Sequence, residues 1–170
     1  ENSQILAIAC IVTTELQHLK DKLDKCKQTI LREKKFRNIP SITYLEKQSF
    51  HYCNDHNEIK REVIDLIAKL PFRAYICYKH KKYDFSSING FKWYDEMFGK
   101  LLHDRLRKHS NSEISIYFEQ HGNFLKSREE ELEKITEQLV YEIQRKDKTK
   151  FPCLPIVKSS DKQESCLAVA

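Results

Sequence analysis

Short apolar runs rich in β-branched residues alternate with amphipathic helical stripes, and this alternation limits the fold more than any other feature. The run QILAIACIVT, residues 4–13, is almost continuously apolar, which is typical of a strand buried on both faces. Apolar residues that recur every three or four positions predict the helices. Strands are predicted over residues 4–13, 72–78, 114–119 and 151–157, and helices over 14–37, 55–70, 88–106, 125–145 and from 160 onward. Asp55 or Asn57 is the expected N-cap of the second helix, and Ser160 or Asp161 that of the last.

The order of these elements predicts an α/β fold in which at least part of the sheet is parallel, because strands and helices take turns along the chain. Residues 42–52, ITYLEKQSFHY, are ambiguous between a short strand and a loop. A chain of 170 residues has the size of one domain. We therefore expect a single domain over residues 1–170.

Composition indicates a soluble, cytoplasmic protein. Hydrophobic residues make up 40% of the chain and charged residues 32%, and no apolar run approaches the roughly 20 residues that span a bilayer. Six cysteines are present without a Cys-x-x-Cys pair, and three of them lie inside apolar runs. Buried free thiols are the favoured interpretation, which fits a reducing compartment.

The formal net charge of +5 is compatible with a nucleic-acid partner, although many proteins with so small a surplus bind none. Basic residues cluster near aromatic ones, as phosphate contacts beside stacking platforms do. A solvated charged face is the alternative for each cluster. The candidate phosphate contacts are Lys79, Lys81, Lys82, Arg105 and Arg107.

Glu119 is the acid best placed for chemistry, because it ends the predicted strand of ISIYFEQHGN at the point where an α/β sheet gathers functional groups. Glu119 is either simply the polar residue with which the strand ends or a ligand for a hard cation. A cation site would need further acids from neighbouring elements. His51 and His121 are more simply surface or supporting histidines than zinc ligands. Phosphate-binding glycine loops, nucleophile elbows and His-Glu-x-x-His motifs are absent from the sequence.

The chain contains, in this order, the segments LAIACIV, FHYCND, PFRAYICY, ISIYFEQ and KSSDKQESCLAVA. Their order resembles that of the bacterial domain of unknown function number 3800, a family with an RNase H-like fold. The resemblance spans nearly the whole chain. It implies a mixed sheet flanked by helices, here lacking its first strand and the rest of its last helix. The long helix after the first apolar strand departs from the antiparallel hairpin that usually opens an RNase H fold.

Carried over residue by residue, the resemblance makes Glu119 the strand-end acid, where the family more often has Asp. Asp161 falls in the serine-containing segment SSDK, and His51 matches a histidine ahead of the first long helix. The family's opening Asp would precede Glu1, and its closing Asp would follow Ala170. We therefore expect elements of the intact protein on both sides of this chain, and an incomplete site within it.

The resemblance implies a nuclease that depends on Mg²⁺ or Mn²⁺, with Glu119 as a metal ligand and Asp161 and His51 as candidate supporting residues. RNase H-like nucleases hold two metals roughly 3.5–4 Å apart. The competing interpretation is a non-catalytic module of the same fold that binds a protein, a second copy or a nucleic acid, for example in phage defence. A small-molecule enzyme using His51 or His121 as a base is a third, more remote reading.

Overall fold

The computed structural model describes residues 5–51, 54–80, 87–119 and 125–160. Within these ranges the chain is a mixed α/β protein with four strands and five α-helices, and a short 3₁₀ helix, Lys34–Phe36, follows the first α-helix. The elements are β1 (Ile5–Val12), α1 (Leu16–Arg32), α2 (Ile42–Lys47), α3 (Asn57–Ile67), β2 (Arg73–His80), α4 (Ser87–Lys108), β3 (Ser115–Glu119), α5 (Leu125–Asp147) and β4 (Ile156–Ser160).

The strands form two small sheets. β1 pairs with β2 in an antiparallel sheet, and β3 pairs with β4 in a parallel one. The predicted α/β class is therefore confirmed, including parallel pairing in part of the structure. An RNase H-like arrangement of these strands stays a prediction.

The described residues divide into two compact units. Unit 1 comprises residues 5–10 and 75–160, and unit 2 comprises residues 11–74. The division passes through β1 after Cys10 and through β2 before Tyr75. None of the described helices combines the length and the apolar character that crossing a bilayer requires.

Unit 2 is a helical cluster in which α1 packs on α2 and α3. Its core consists of Leu19, Leu23, Ile30, Phe36, Ile39, Leu45, Phe50 and Ile59. Residues 42–47, whose sequence is ambiguous between a strand and a loop, form the helix α2. Leu45 is fully buried in this core, so packing overrides the preference of Ile42 and Thr43 for a strand.

Unit 1 places α4 and α5 on one face of the β3–β4 sheet. Ile116 and Phe118 of β3 pack against the cluster formed by Phe98 of α4, Leu132 of α5 and Val157 of β4. The intervening residues of β3, Ser115 and Tyr117, are exposed. This is the alternation that the sequence predicts for a strand with one covered face.

β4 lies further along the chain than predicted. The sequence favoured residues 151–157, but the strand runs from Ile156 to Ser160. Pro152 and Pro155 have no N–H to donate to a ladder, whereas the Ile156 N–H donates to the carbonyl of Ile114 at 2.9 Å. Ser160, predicted as a helix cap, is therefore the last residue of the strand, and the rest of the predicted final helix lies outside the described residues.

Candidate functional site

The register of the parallel sheet brings the exit of β3 beside the exit of β4. Glu119, the last residue of β3, lies opposite Ser160, the last residue of β4. Parallel strands end at the same edge of their sheet, so β3 and β4 both end at one edge. We call this the carboxyl edge. Asp161 and the side chain of Glu119 lie outside the described part of the structure.

A carboxylate of α5 holds the end of β4. Glu129 Oε2 accepts a hydrogen bond from the Ser159 hydroxyl at 2.5 Å and another from the Ser159 N–H at 3.1 Å. The bond from the hydroxyl, and to a smaller extent the bond from the N–H, lowers the pKa of Glu129, because both stabilise its ionised form. Ser159 immediately precedes Ser160, so the first turns of α5 lie at the carboxyl edge.

The neighbouring residue Arg128 holds the same turn of α5 against α4. Its guanidinium contacts Asp95 at 2.5 Å and Glu131 at 2.6 Å, and it lies 4.5 Å from the ring centroid of Tyr94. Burial opposes the charge of Arg128, but the bonds to Asp95 and Glu131 raise its pKa above the ordinary value. Two consecutive residues thus fasten the start of α5, one to α4 and the other to β4.

Sequence reasoning identified neither Glu129 nor Arg128. The stretch SREEELEK reads as the charged face of a helix, and nothing in it separates Glu129 from its neighbours Glu130 and Glu131. The only available signal was the position of these residues near the start of the helix that follows β3. That position indicates which edge of the sheet these residues are near, but not which residues they contact.

His51 belongs to unit 2, where its side chain is exposed. Its backbone N–H donates to Asp55 Oδ2 at 2.7 Å, and the backbone N–H of Asp55 donates back to the His51 carbonyl at 2.9 Å. Asp55 is only 7% exposed, and burial raises its pKa although the His51 N–H lowers it in part. His51 and Asp55 are therefore joined by two hydrogen bonds, one in each direction.

The next residue, His56, caps α3 in place of the predicted Asp55 or Asn57. Its ring nitrogen Nδ1 accepts from the Glu58 N–H at 3.4 Å, and its own N–H donates to Ser41 Oγ at 3.1 Å. Asp55 is unavailable as a cap because its carboxylate accepts from His51. His56 thus has a structural role that needs no bound ligand.

Two of the predicted phosphate contacts form ion pairs. Lys79 Nζ lies 3.0 Å from a carboxylate oxygen of Glu96 and 4.5 Å from the ring centroid of Trp93. Arg107 Nε lies 2.7 Å from Asp147 Oδ2. A phosphate would have to compete with these carboxylates. Lys81 and Lys82 lie outside the described residues.

Arg105 stacks on an aromatic ring instead. Its guanidinium carbon lies 3.7 Å from the ring centroid of Tyr75. The Nε and Nη1 atoms of Arg105 are buried and have no hydrogen-bond partner among the described residues. These two donors are therefore shielded from solvent in the described structure.

The basic candidates lie at different levels of α4: Arg105 and Arg107 are in its last turn, whereas Lys79 of β2 contacts its middle. Arg107 bonds to Asp147, the last residue of α5, whereas Glu129 near the start of α5 marks the carboxyl edge. The separation of these two positions along a helix that rises 1.5 Å per residue is about 27 Å. Lys79 instead contacts Glu96, which directly follows the Asp95 that pairs with Arg128. Of these candidates, Lys79 is the one that contacts the middle of α4, beside the residue that pairs with Arg128.

No group of three or more His, Cys, Asp and Glu side chains within the described ranges is arranged to hold a metal ion. Glu119, the last residue of β3, carries carboxylate oxygens, the kind of ligand that Mg²⁺ and Mn²⁺ prefer. The described cysteines are free thiols, as predicted, but none is fully buried: Cys10, Cys26 and Cys77 are partly buried and Cys153 is exposed.

No protein-family model matches this chain, and no curated protein or solved structure matches it either.

Proposed function

We propose that this chain belongs to a cytoplasmic, RNase H-like nuclease that depends on Mg²⁺ or Mn²⁺. Glu119 is the metal ligand in this proposal, and Asp161, which lies outside the described residues, is a supporting residue. The substrate is a nucleic acid. The observation that carries the proposal is the register of β3 and β4, which pairs Glu119 with Ser160 at the carboxyl ends of two parallel strands.

The described residues have three tasks in this proposal. β3 ends on Glu119 at the carboxyl edge, and Glu129 and Arg128 hold β4, α4 and α5 together beside it. Lys79 contacts substrate phosphate when it gives up its bond to Glu96. The cation, when bound, supplies an activated water and stabilises the leaving oxygen. Arg105 and Arg107 lie too far along α4 and α5 to contact the same phosphate.

The test is a cleavage assay on the full-length protein that contains these residues, with labelled single- and double-stranded DNA and RNA. We expect cleavage with Mg²⁺ or Mn²⁺ and none with EDTA. Glu119→Gln removes one carboxylate charge at nearly unchanged volume, so it should reduce the rate to that of the metal-free protein. Glu130→Gln, an exposed acid of α5, is the matched control and should cleave at the wild-type rate. Cleavage by Glu119→Gln at the wild-type rate contradicts the assignment.

A second candidate function is a non-catalytic RNase H-like module that binds a protein or nucleic-acid partner. It is favoured by β2, where Ile76 and Tyr78 are 68% and 64% exposed while Tyr75 and Cys77, which alternate with them, are half-buried. Exposed apolar side chains on one strand face are common in interaction surfaces. The same experiment separates the candidates. Nucleic-acid binding without cleavage in any metal, unaffected by Glu119→Gln, supports the module over the nuclease.

A further inference from the structure

Four cations lie close together where α1 ends, in the segment REKKFR at residues 32–37. Three of them are exposed, and within the described ranges none of the three side chains has a carboxylate partner: Arg32, Lys34 and Arg37. Cations this close in the chain repel one another, and here only water and salt ions screen that repulsion. The segment is therefore a candidate surface for an anionic partner.

The fourth cation, Lys35, is neutralised by two acids. Its Nζ lies 3.1 Å from Glu33 Oε2 and 2.8 Å from Glu62 Oε1. Glu33 is the one acid in the sequence of residues 32–37, and it pairs with Lys35. The other three cations keep their charge uncompensated, and Lys35 provides a control on the same turn.

The backbone that carries these cations is anchored in the core of unit 2. Phe36 is 1% exposed and Ile39 is 7% exposed, and both belong to the buried cluster of that unit. The Arg37 N–H donates to the Lys34 carbonyl at 3.3 Å, which closes one 3₁₀ turn. Side chains three residues apart in such a turn lie on the same side of it. Lys34 and Arg37 are therefore held side by side before any partner binds.

The described basic residues of β2 and α4 that the sequence predicts as phosphate contacts are engaged by carboxylates or by an aromatic ring, and a phosphate would have to displace those partners. A phosphate at the three uncompensated cations displaces none. We propose that Arg32, Lys34 and Arg37 bind the phosphate backbone of a nucleic acid, whatever its base sequence. This inference rests on the nucleic-acid partner of the proposed function but not on its metal.

The experiment measures binding of the full-length protein to labelled duplex DNA and single-stranded RNA by fluorescence anisotropy, in EDTA and over a range of salt concentrations. One phosphate contact contributes about 0.9 to the slope of log affinity against log salt for duplex DNA, and about 0.7 for a single strand. Loss of one contact therefore weakens binding by about five- to eightfold near 0.1 M salt. Loss of three independent contacts weakens it by roughly 100- to 500-fold.

Single replacements of Arg32, Lys34 and Arg37 by Gln should each lower the slope by about one contact, equally for different base sequences. Lys35→Gln removes a cation that already has two carboxylate partners, and it should leave the slope unchanged. Lys69→Gln, an exposed cation of unit 2 outside the segment, makes the same change in net charge and should also match the wild type. An equal fall of the slope in Lys35→Gln or Lys69→Gln reveals a general charge effect and overturns the proposal.

This inference and the proposed nuclease fail in different ways. If the wild-type protein cleaves with Mg²⁺ but the triple Gln variant binds with the wild-type slope, only the role of the three cations is lost. If the wild-type protein binds in EDTA with the expected slope changes but cleaves in no metal, the cations keep their role and the nuclease is refuted. Binding to phosphatidylserine vesicles and to neither nucleic acid overturns both. Circular dichroism of each variant confirms that folded proteins are compared.

Discussion

The ion pair between Arg128 and Asp95 should stabilise unit 1 measurably more than a second Arg–Asp pair that joins the same two helices. Both pairs connect α5 to α4, and they differ in exposure and in the further contacts of Arg128 with Glu131 and Tyr94, which a double-mutant cycle with Asp95 leaves out of the coupling energy. The side chains of Arg128 and Asp95 are 20% and 26% exposed, whereas those of Arg107 and Asp147 are 61% and 29% exposed. The chain therefore contains its own control for the effect of burial.

The expected magnitude follows from the solvent around each pair. Two unit charges about 4 Å apart attract by about 1 kcal/mol in water and by about 4 kcal/mol at an effective dielectric constant near 20. The shielded Arg128 pair lies toward the second value, and desolvation of both groups offsets part of it. We expect a coupling energy of about 1–3 kcal/mol for Arg128–Asp95. For Arg107–Asp147, where Arg107 is largely in solvent, we expect about 0.2–1 kcal/mol.

The assay is a pair of double-mutant cycles, one with Arg128→Met and Asp95→Asn and the other with Arg107→Met and Asp147→Asn. Methionine keeps an apolar stem, so each cycle isolates the charge interaction. Urea unfolding is followed by the fluorescence of Trp93, the single tryptophan, which lies in α4 and reports on unit 1. A coupling energy for Arg128–Asp95 no larger than that for Arg107–Asp147 would refute the reasoning that burial governs these pairs.

Two further predictions concern groups whose pKa values are raised by burial. The folded pKa of Asp55 lies above its ordinary value of 3.8, so between the two values the folded state binds more protons and stability falls as pH rises. Asp55→Asn should remove that fall in stability and keep an acceptor for the His51 N–H. Asp55→Ala should cost about 1–3 kcal/mol of stability because it leaves that N–H unpaired. Stability is measured against pH by circular dichroism in urea, and parallel curves for wild type and Asp55→Asn would contradict this prediction. Burial also raises the pKa of the Cys10 and Cys26 thiols, and the thiolate is the reactive form. Iodoacetamide should therefore modify the exposed Cys153 faster than either, as peptide mass spectrometry would measure, and equal rates would contradict the burial argument.

The two longest helices could be predicted from the sequence with little error, whereas the first helix, predicted over 14–37, ends at Arg32. The helix predicted over residues 88–106 is observed as Ser87–Lys108, and the one predicted over 125–145 is observed as Leu125–Asp147. Their apolar stripes extend over several turns, so each boundary is supported by many residues. Glu119 was located as a strand-end acid for the same reason, because the alternation of ISIYFE marks where β3 ends.

Short elements depend on contacts that a local pattern does not contain. α2 is six residues long and is fixed by the burial of Leu45, while its β-branched residues favour a strand. The cap of α3 was assigned to Asp55 or Asn57 by residue type, yet the carboxylate of Asp55 is engaged by His51 and the cap passes to His56. In both cases, tertiary contacts rather than the local sequence pattern determine the structure.

The register of β4 connects the core of unit 1 to the candidate site. Val157 is buried between the exposed Ile156 and Lys158, so one apolar side chain sets the face that β4 turns toward α4 and α5. A slip of one residue would expose Val157 and move Glu119 out of alignment with Ser160. Ser159, held by Glu129, resists the same slip through hydrogen bonds. The alignment on which the proposed site depends is thus enforced twice, once by core packing and once by a carboxylate of α5.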